Sequence, residues 1–426
     1  MNKDIRQDLL RQACAGSVAA QYNLGVMHTH GQEKGDDAQA FNWFRKAAEQ
    51  GYDMAQYNLG AMYSEGRGTA RDDARAAEWY RKAAEQGNVM AQCSLGVMFI
   101  YGRGVPEDRI QAVAWLFKAA ERGCAEAQYN FGLMHSAGLG VARDDTKAAE
   151  WYQKAAEQGY DKAQCNLGML YAEGRGVPKD DAKAAEWFYK AAEQGCADAQ
   201  FNFGLMYSFG RGVSQDDRKA AKWFRLAAEQ GDATAQCKMG VVFAHGRGVG
   251  QNDAEAARWY RLAADQGDAM AQCSLGVMYA AGRGVEKDAR QALDWFRRAA
   301  EQDYPMAQYA LGVIYASGLG VPTDETQALV WFRRAAEQGN AKAQYNLGVM
   351  YAEGLGVGRD EAEALVWYRK AAAQGNVKAQ HNLETILAAR HDTPRGEAPV
   401  PFHGGETKTG AGTAARPMRL TRRPGG

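Results

Sequence analysis

The chain has 426 residues, with 51 Lys plus Arg, 51 Asp plus Glu and seven cysteines. This balance of charge argues against a global attraction to nucleic acid, acidic membranes or polyanionic substrates, although it is compatible with a local charged patch. The odd number of cysteines favours a reducing compartment over a disulfide framework.

The N-terminal stretch MNKDIRQDLLRQACAGSVAAQ lacks the long apolar run and the small-residue cleavage site of a signal peptide. No window of the sequence is long and apolar enough to predict a membrane span. We therefore expect a cytoplasmic protein, with secretion by a route that needs no cleaved signal as an open alternative.

One pattern recurs along the chain with a fixed period. All ten tryptophans are spaced by 36 residues, from Trp43 to Trp367, and a glycine keeps the same spacing from Gly60 to Gly348. Gly25 lies 35 residues before Gly60, which places one missing residue in the loop of the first repeat. A fixed period of this size indicates stacked repeats, because no single unit can bury its own apolar face.

The periodic region has distinct ends. Residues 1–17 are predicted to hold a lone capping helix, because they align with the second half of a repeat but lack its tryptophan. Ten repeats follow at 18–376, and a C-terminal capping helix is predicted at 377–390, where Glu384 replaces the repeat glycine. Residues 391–426 are rich in Gly, Pro and Arg without helical periodicity, which is typical of a disordered tail.

Each repeat is predicted to be a pair of helices, as residues 53–88 illustrate. Apolar residues at helical spacing predict a first helix at 53–65, which ends at a glycine-rich loop beginning with Gly66. Asp72 or Asp73 is a suitable N-cap for the second helix. Two helices joined by a short loop pack antiparallel, and only the next pair can cover their remaining apolar face. The predicted fold class is therefore an all-α solenoid.

The repeating unit A-x-A-Q-Y-N-L-G-x-M-Y-x-x-G-x-G-V-x-x-D-x-x-x-A-x-x-W-[YF]-x-K-A-A-E-Q-G resembles the Sel1-like repeat, a relative of the tetratricopeptide repeat. The match covers about residues 4–390. The resemblance implies a right-handed α/α superhelical solenoid of ten helix-turn-helix repeats whose first helices line the concave side. It also implies a scaffold or adaptor that binds protein or peptide partners in signalling, envelope biogenesis or host interaction.

Two alternatives to a cytoplasmic scaffold stay open. One is a secreted or host-directed effector of the same repeat type. The other is a β-lactam-hydrolysing enzyme, as the cysteine-rich branch of the family suggests. That branch has bridged cysteines close together in each repeat, whereas no two cysteines here are nearer in sequence than Cys93 is to Cys124. No set of nucleophile, base and orienting residue is visible, and we predict a non-enzymatic protein without cofactor or metal.

The cysteines fall into a register of their own. Four of them occupy a repeat-core position that holds Tyr in other repeats, which is typical of small buried hydrophobes: Cys93, Cys165, Cys237 and Cys273. Cys124 follows Cys93, and Cys196 follows Cys165, at one and the same spacing. This shared spacing is the one hint of pairing, and the probable reducing compartment argues against it.

The predicted partner-binding site is the face of the first helices, where an asparagine ladder lies beside residues three and seven positions later. These amides are suited to hold an extended peptide, or alternatively to tie neighbouring repeats together. In the middle of the array, aromatic residues and histidine replace Glu, and Lys replaces Asn, which predicts an anchor pocket unless it reflects drift among redundant repeats. The predicted contact residues are Asn58, Glu65, Tyr101, Asn130, Asn166, Glu173, Asn202, Phe209, Lys238, His245, Asn346 and Glu353.

The tail from Asp392 carries six Lys or Arg against three acidic residues. It has a weak potential to bind RNA, an acidic membrane or a folded partner, but it has no interleaved aromatic ladder, which favours a solvated tether. We expect no nucleic-acid binding by the nearly neutral array.

Overall fold

The computed structural model describes residues 3–30 and 36–392. These residues form helices joined by short loops, and neither range contains a β-strand. The shortened loop of the first repeat and the tail from residue 393 onward lie outside the described residues. In chain order the helices are α1 (Lys3–Cys14), α2 (Val18–His30), α3 (Asp37–Glu49), α4 (Asp53–Glu65), α5 (Asp73–Glu85), α6 (Val89–Tyr101), α7 (Arg109–Glu121), α8 (Ala125–Ala137), α9 (Asp145–Glu157), α10 (Asp161–Glu173), α11 (Asp181–Glu193), α12 (Ala197–Phe209), α13 (Asp217–Glu229), α14 (Ala233–His245), α15 (Asp253–Asp265), α16 (Ala269–Ala281), α17 (Ala289–Glu301), α18 (Pro305–Ser317), α19 (Glu325–Glu337), α20 (Ala341–Glu353), α21 (Glu361–Ala373) and α22 (Val377–Asp392).

The chain divides into two compact units within the described residues. The first unit holds 3–30, 36–199 and 211–213, and the second holds 200–210 and 214–392. In each unit a first helix packs against the second helix of its own repeat and against the second helix of the repeat before it, as α6 does with α7 and α5. This confirms the predicted all-α architecture of stacked helix pairs.

In nine of the ten pairs an aspartate caps the start of the second helix, and Asn252 does so in the seventh pair. A glycine ends the first helix, as Gly66 does for α4. The Asp72 side chain accepts a hydrogen bond from the Arg75 N–H at 2.9 Å, which makes Asp72 rather than Asp73 the N-cap of α5. Gly66 adopts the left-handed conformation, with φ of 71°, and its N–H donates to the Met62 carbonyl at the end of α4. The helix boundaries are therefore local properties of the repeat sequence.

Glycine also lets neighbouring elements approach closely. Gly60 lies against the ring of Tyr80, where a Cβ atom would be 2.8 Å from the ring carbon Cδ1. In the loop, a Cβ atom on Gly68 would be 2.1 Å from the backbone oxygen of Asp37 in the preceding repeat. Packing between helices and between repeats therefore requires glycine at these two positions.

A series of buried glutamines joins successive repeats. Gln56 of α4 donates its Nε2 to the Ala48 carbonyl at the end of α3, at 3.2 Å, and accepts from the Gln86 side chain that follows α5, at 2.8 Å. One amide thus satisfies an open carbonyl at a helix end and connects three helices. The equivalent bond between glutamines measures 2.7 to 2.9 Å in nine of the ten repeats. The remaining repeat carries Arg122 at the donor position.

Ion pairs form a second link between repeats. Arg67 in the loop pairs with Asp37, thirty residues earlier at the start of α3, at 2.9 Å. Three further loops repeat this ion pair, in Arg175–Asp145, Arg211–Asp181 and Arg283–Asp253. Where the loop carries Leu instead, the residue thirty positions earlier is never Asp, as Leu139, Leu319 and Leu355 show. The loop residue and its partner therefore change together within one chain.

Candidate partner-binding face

Most of the predicted contact residues lie on the solvent-contacting side of the first helices. In α4, Asn58 is half-buried and Glu65 is exposed, whereas the neighbouring Leu59 is fully buried. Glu173 and Glu353 are likewise exposed at the ends of α10 and α20. The periodicity of the helix therefore separates a core side from a side that contacts solvent.

The asparagine ladder is not uniformly accessible. Asn58, Asn130 and Asn346 are half-buried, but Asn166 and Asn202 have 0% exposure. Because a fully buried amide cannot reach a partner, we remove Asn166 and Asn202 from the predicted contact surface. Burial makes them part of the packing of the array instead.

Hydrogen bonds between repeats explain part of this ladder. Burial raises the pKa of Tyr309, and a side-chain hydrogen bond with Asn346 of the next repeat acts in the opposite direction. Tyr345 is in the same position, since burial raises its pKa and Asn382 is its side-chain partner. At these positions the asparagine interacts with a tyrosine of the preceding repeat, which favours the interpretation that it joins neighbouring repeats.

Two departures from the repeat consensus meet in the second unit. Phe209, the last residue of α12, is 50% exposed. The Lys238 Nζ of α14 lies 5.8 Å from the centroid of the Phe209 ring and 5.6 Å from the centroid of the Phe224 ring. Both distances are within the range of a cation–π interaction. An exposed aromatic ring and a cation therefore lie side by side here.

The other two departures have different surroundings. His245 is exposed at the end of α14, and its Nδ1 lies 2.9 Å from the Val241 carbonyl oxygen of the same helix. Tyr101 ends α6 in the first unit and is 39% exposed. Of the departures within the second unit, the structure thus joins Phe209 with Lys238 and leaves His245 bonded to its own helix.

Lys238 lines a small cleft, together with Ser208, Asp217, Phe224 and Arg247. Burial lowers the pKa of Lys238, and the nearby Arg247 lowers it further, while the negative charge of Asp217 acts in the opposite direction. Two cations are therefore gathered around one carboxylate in a partly dehydrated place.

Neither cation of this cleft forms an ion pair within the described residues. Arg247 occupies the loop position whose arginine pairs with an aspartate in four other repeats, as Arg283 does with Asp253 at 2.8 Å. Within residues 3–30 and 36–392, neither Asp217 nor Lys238 forms an ion pair of this kind. A half-buried ammonium group without an ion-pair partner is unfavourable, so the cleft is suited to receive a further anion.

The described residues contain neither a metal-binding cluster nor a helix that could cross a membrane. In 3–30 and 36–392, no group of three or more His, Cys, Asp or Glu side chains could hold a metal ion. Within those same ranges, every helix is too short or too polar to cross a bilayer.

Comparison with protein families identifies the repeat. The family model of the Sel1 repeat matches ten adjoining segments, the first at 18–52 and the last at 341–376, which together cover 18–376. The chain belongs to the Sel1-repeat family. Each matched segment of this Sel1-repeat protein contains one pair of helices, from α2 with α3 to α20 with α21. A search of curated protein sequences gave no match.

Two solved structures resemble the Sel1 array closely. One is a protective antigen of uropathogenic Escherichia coli strains that displays an SLR fold, with 34% identity, a TM-score of 0.62, and coverage of 94% of this chain and 99% of the antigen. The other is a Sel1 repeat protein from Oxalobacter formigenes, with 36% identity, a TM-score of 0.57, and coverage of 74% of this chain and 92% of that protein. Both support the same repeat fold.

Sequence reasoning missed the three other polar residues that line the cleft in this Sel1-repeat protein, namely Ser208, Asp217 and Arg247. A signal for two of them was available, because Arg and Asp recur thirty residues apart in six repeats. The sequence could not show that the pair at 217 and 247 is separated while Lys238 lies beside it.

Proposed function

We propose that this Sel1-repeat protein is a non-enzymatic scaffold that binds an extended segment of a protein partner along its first helices. The anchor is the cleft lined by Lys238, together with the ring of Phe209 beside this lysine. The observation that supports this is the meeting of an exposed ring with a half-buried, unpaired cation. Large aromatic and cationic side chains that lie together at a surface are typical of binding hot spots.

The chemistry of the anchor favours a partner that carries a carboxylate. A carboxylate entering the cleft would accept hydrogen bonds from Lys238 and Arg247, and a charged hydrogen bond contributes about 1.5–3 kcal/mol. The ring of Phe209 offers apolar surface to a neighbouring side chain of the same segment. The helices hold these groups in place before binding, so the scaffold loses little conformational entropy.

Further proposed contacts are exposed or half-buried residues, which are taken unit by unit. In the second unit they are His245, Asn346 and Glu353, and in the first unit Asn58, Glu65, Tyr101, Asn130 and Glu173. We place the scaffold in the cytoplasm because its odd number of cysteines favours a reducing compartment. Fractionation of native cells tests this placement.

The anchor can be removed by restoring the repeat consensus. The double substitution Phe209→Glu with Lys238→Asn introduces the residue types that the tenth repeat has at the equivalent positions, Glu353 and Asn346. The fold should therefore be preserved. The matched control is Leu262→Glu with Arg258→Asn, which makes the same kinds of exchange at an exposed apolar residue and an exposed cation of the second helix α15, outside the proposed surface.

A library of short linear peptides, selected on the full chain, provides the measurement. We expect the enriched peptides to contain Asp or Glu. Their affinity for the anchor variant should be at least about tenfold lower than for the original chain, a difference of about 1.4 kcal/mol. Their affinity for the control variant should equal that for the original chain. Acidic peptides that bind all proteins equally would locate the site elsewhere. A selection that enriches no peptide would argue against a scaffold for linear segments.

A further inference from the structure

Six of the seven cysteines occupy two positions of the repeat. Cys93 lies in α6 and Cys165 in α10, at a position that holds Tyr in other repeats. Cys124 is the N-cap residue of α8, and Cys196 directly precedes α12. Each cysteine at this second position is the last residue of a repeat that also has cysteine at the first position. Cysteine therefore occurs at the second position only as part of a complete pair.

The repeat geometry brings these two positions into contact. In two other repeats both positions hold tyrosine, and the two rings are in contact. The ring centroids are 5.1 Å apart for Tyr22 and Tyr52, and 5.2 Å apart for Tyr129 and Tyr160. In the cysteine repeats, Cys124 packs against the core cluster that contains Cys93, and its thiol interacts with the Cys93 thiol. The Cys196 thiol interacts with Cys165 in the same way.

The two thiols of a pair have different surroundings. Cys93 and Cys165 are buried, with 1% and 0% exposure, whereas Cys124 and Cys196 are half-buried. The hydrogen bond with Cys93 lowers the pKa of Cys124 to about 6, helped by backbone N–H groups at the start of α8 and opposed by burial and by Glu126. Cys124 is therefore the accessible nucleophile, and Cys93 is the thiol placed to resolve what it forms.

We propose that Cys93 with Cys124, and Cys165 with Cys196, are two dithiol sites that a low-molecular-weight disulfide oxidises to intramolecular disulfides. Each bridge ties one first helix to the beginning of the next. All seven cysteines are reduced in the structure, so this is the starting state of the reaction. The proposal is independent of the scaffold function, since it concerns only thiols in contact.

The reaction at each site is two successive thiol–disulfide exchanges. The thiolate of Cys124 attacks one sulfur of the small disulfide, forming a mixed disulfide and releasing one small thiolate. Cys93 then gives its proton to solvent, and its thiolate attacks the Cys124 sulfur and displaces the second small thiolate. Two protein thiols are oxidised and one small disulfide is reduced to two thiols, so the electrons balance.

The test uses the full chain with Cys14→Ser, which removes the exposed thiol that could link two molecules. The protein is equilibrated with reduced and oxidised glutathione at a series of ratios, and remaining thiols are alkylated and located by mass spectrometry. We expect the thiol count to fall from six to two, with peptide links joining Cys93 to Cys124 and Cys165 to Cys196. The midpoint of thermal unfolding should rise by several degrees, because each bridge closes a loop in the unfolded chain.

Cys237 and Cys273 supply the internal control, because they share the buried position of Cys93 but face Asp268 and Tyr304, rather than cysteine, at the second position. They should stay reduced at ratios that oxidise the pairs. The variant Cys124→Ser should leave Cys93 reduced and the second bridge intact. Cys93 and Cys165 that remain alkylatable at every ratio, or links that join cysteines of different pairs, would overturn the proposal. The link map of the protein that retains both pairs decides the question even if the serine variant does not fold.

Discussion

The substitution Arg122→Gln is predicted to stabilise the array. Gln92 is 5% exposed, and its Oε1 atom is buried without a hydrogen-bond partner. In the other nine repeats the equivalent oxygen accepts from a glutamine that follows the second helix, as Gln128 accepts from Gln158 at 2.7 Å. Arg122 stands at that donor position in the third repeat and donates instead to the Gly87 carbonyl.

The expected magnitude follows from the groups exchanged. A restored hydrogen bond to a buried oxygen is worth about 1 kcal/mol, and leaving that oxygen unpaired costs about 1–3 kcal/mol. The loss of the exposed hydrogen bond of Arg122 opposes this gain. So does the loss of its positive charge near the C-terminal end of α7, which contributes about 0.3–1 kcal/mol. We therefore expect a net gain in the free energy of unfolding of about 1 kcal/mol.

Two variants separate the hydrogen bond from the charge. Arg122→Met removes the charge without supplying a donor, and should not stabilise. Gln158→Arg transplants the third repeat's arrangement into the fourth, and should cost about 1–3 kcal/mol by leaving Gln128 unpaired. Urea unfolding gives the midpoints, and backbone hydrogen exchange in α6 and α7 locates the change, since repeat arrays often unfold in parts. Equal stability of the Gln and Met variants at 122 would refute the reasoning.

Three further predictions concern loops and ion pairs. Gly176→Ala should lower the free energy of unfolding by roughly 3 kcal/mol, because its Cβ would be 2.1 Å from a backbone oxygen. The control Gly159→Ala, where φ is 88° and no atom lies within 4 Å of the added Cβ, should lower it by about 1 kcal/mol. Urea midpoints check both. Asp303 has φ of 57°, a conformation that costs about 1 kcal/mol, but its side chain also accepts a hydrogen bond from Gln308 at 3.3 Å. Asp303→Gly should therefore change the midpoint little in the same assay, and a gain near 1 kcal/mol would show that this hydrogen bond contributes nothing. Arg211→Leu should lower the midpoint at pH 7, because it removes the ion pair with Asp181 and a hydrogen bond to the Ala172 carbonyl. The effect should shrink as the pH falls below about 4: the hydrogen bond from Arg211 holds the pKa of Asp181 below its usual value, so the stabilisation by the ion pair is present above the unfolded-state pKa and disappears as pH falls through the folded-state pKa. A pH-independent difference would show that the ion pair is not its cause.

Much of the fold could be predicted from the sequence because its signals are local and repeated. The N-cap at Asp72 and the glycine at Gly66 act within one turn of a helix, and each recurs through the array. The links between repeats were harder to predict. Gln56 recurs in all ten repeats and Asn58 in six of them, yet periodicity alone does not show that Gln56 is the buried connector and that Asn58 is half-buried. Their roles depend on which side of the helix faces the preceding repeat.

The candidate site was predicted only in part. Phe209 and Lys238 stood out because they depart from the residues found at the same positions in other repeats, and the structure brings them together. Asn166 and Asn202 followed the consensus, but they are fully buried. The separation of Arg247 from Asp217 leaves no trace in the sequence, because the same residue types form an ion pair at 253 and 283.

The period, the helix ends and the family can be inferred from the sequence alone, because they depend on residue types at fixed spacing along one chain. Which polar groups are buried, and which thiols lie in contact, depends on tertiary packing. Cys93 and Cys124 lie almost a full repeat apart in sequence, and their thiols come into contact because the start of one first helix packs beside the preceding first helix. Burial and contact are set by neighbouring repeats, and a repeat's own sequence does not contain its neighbours.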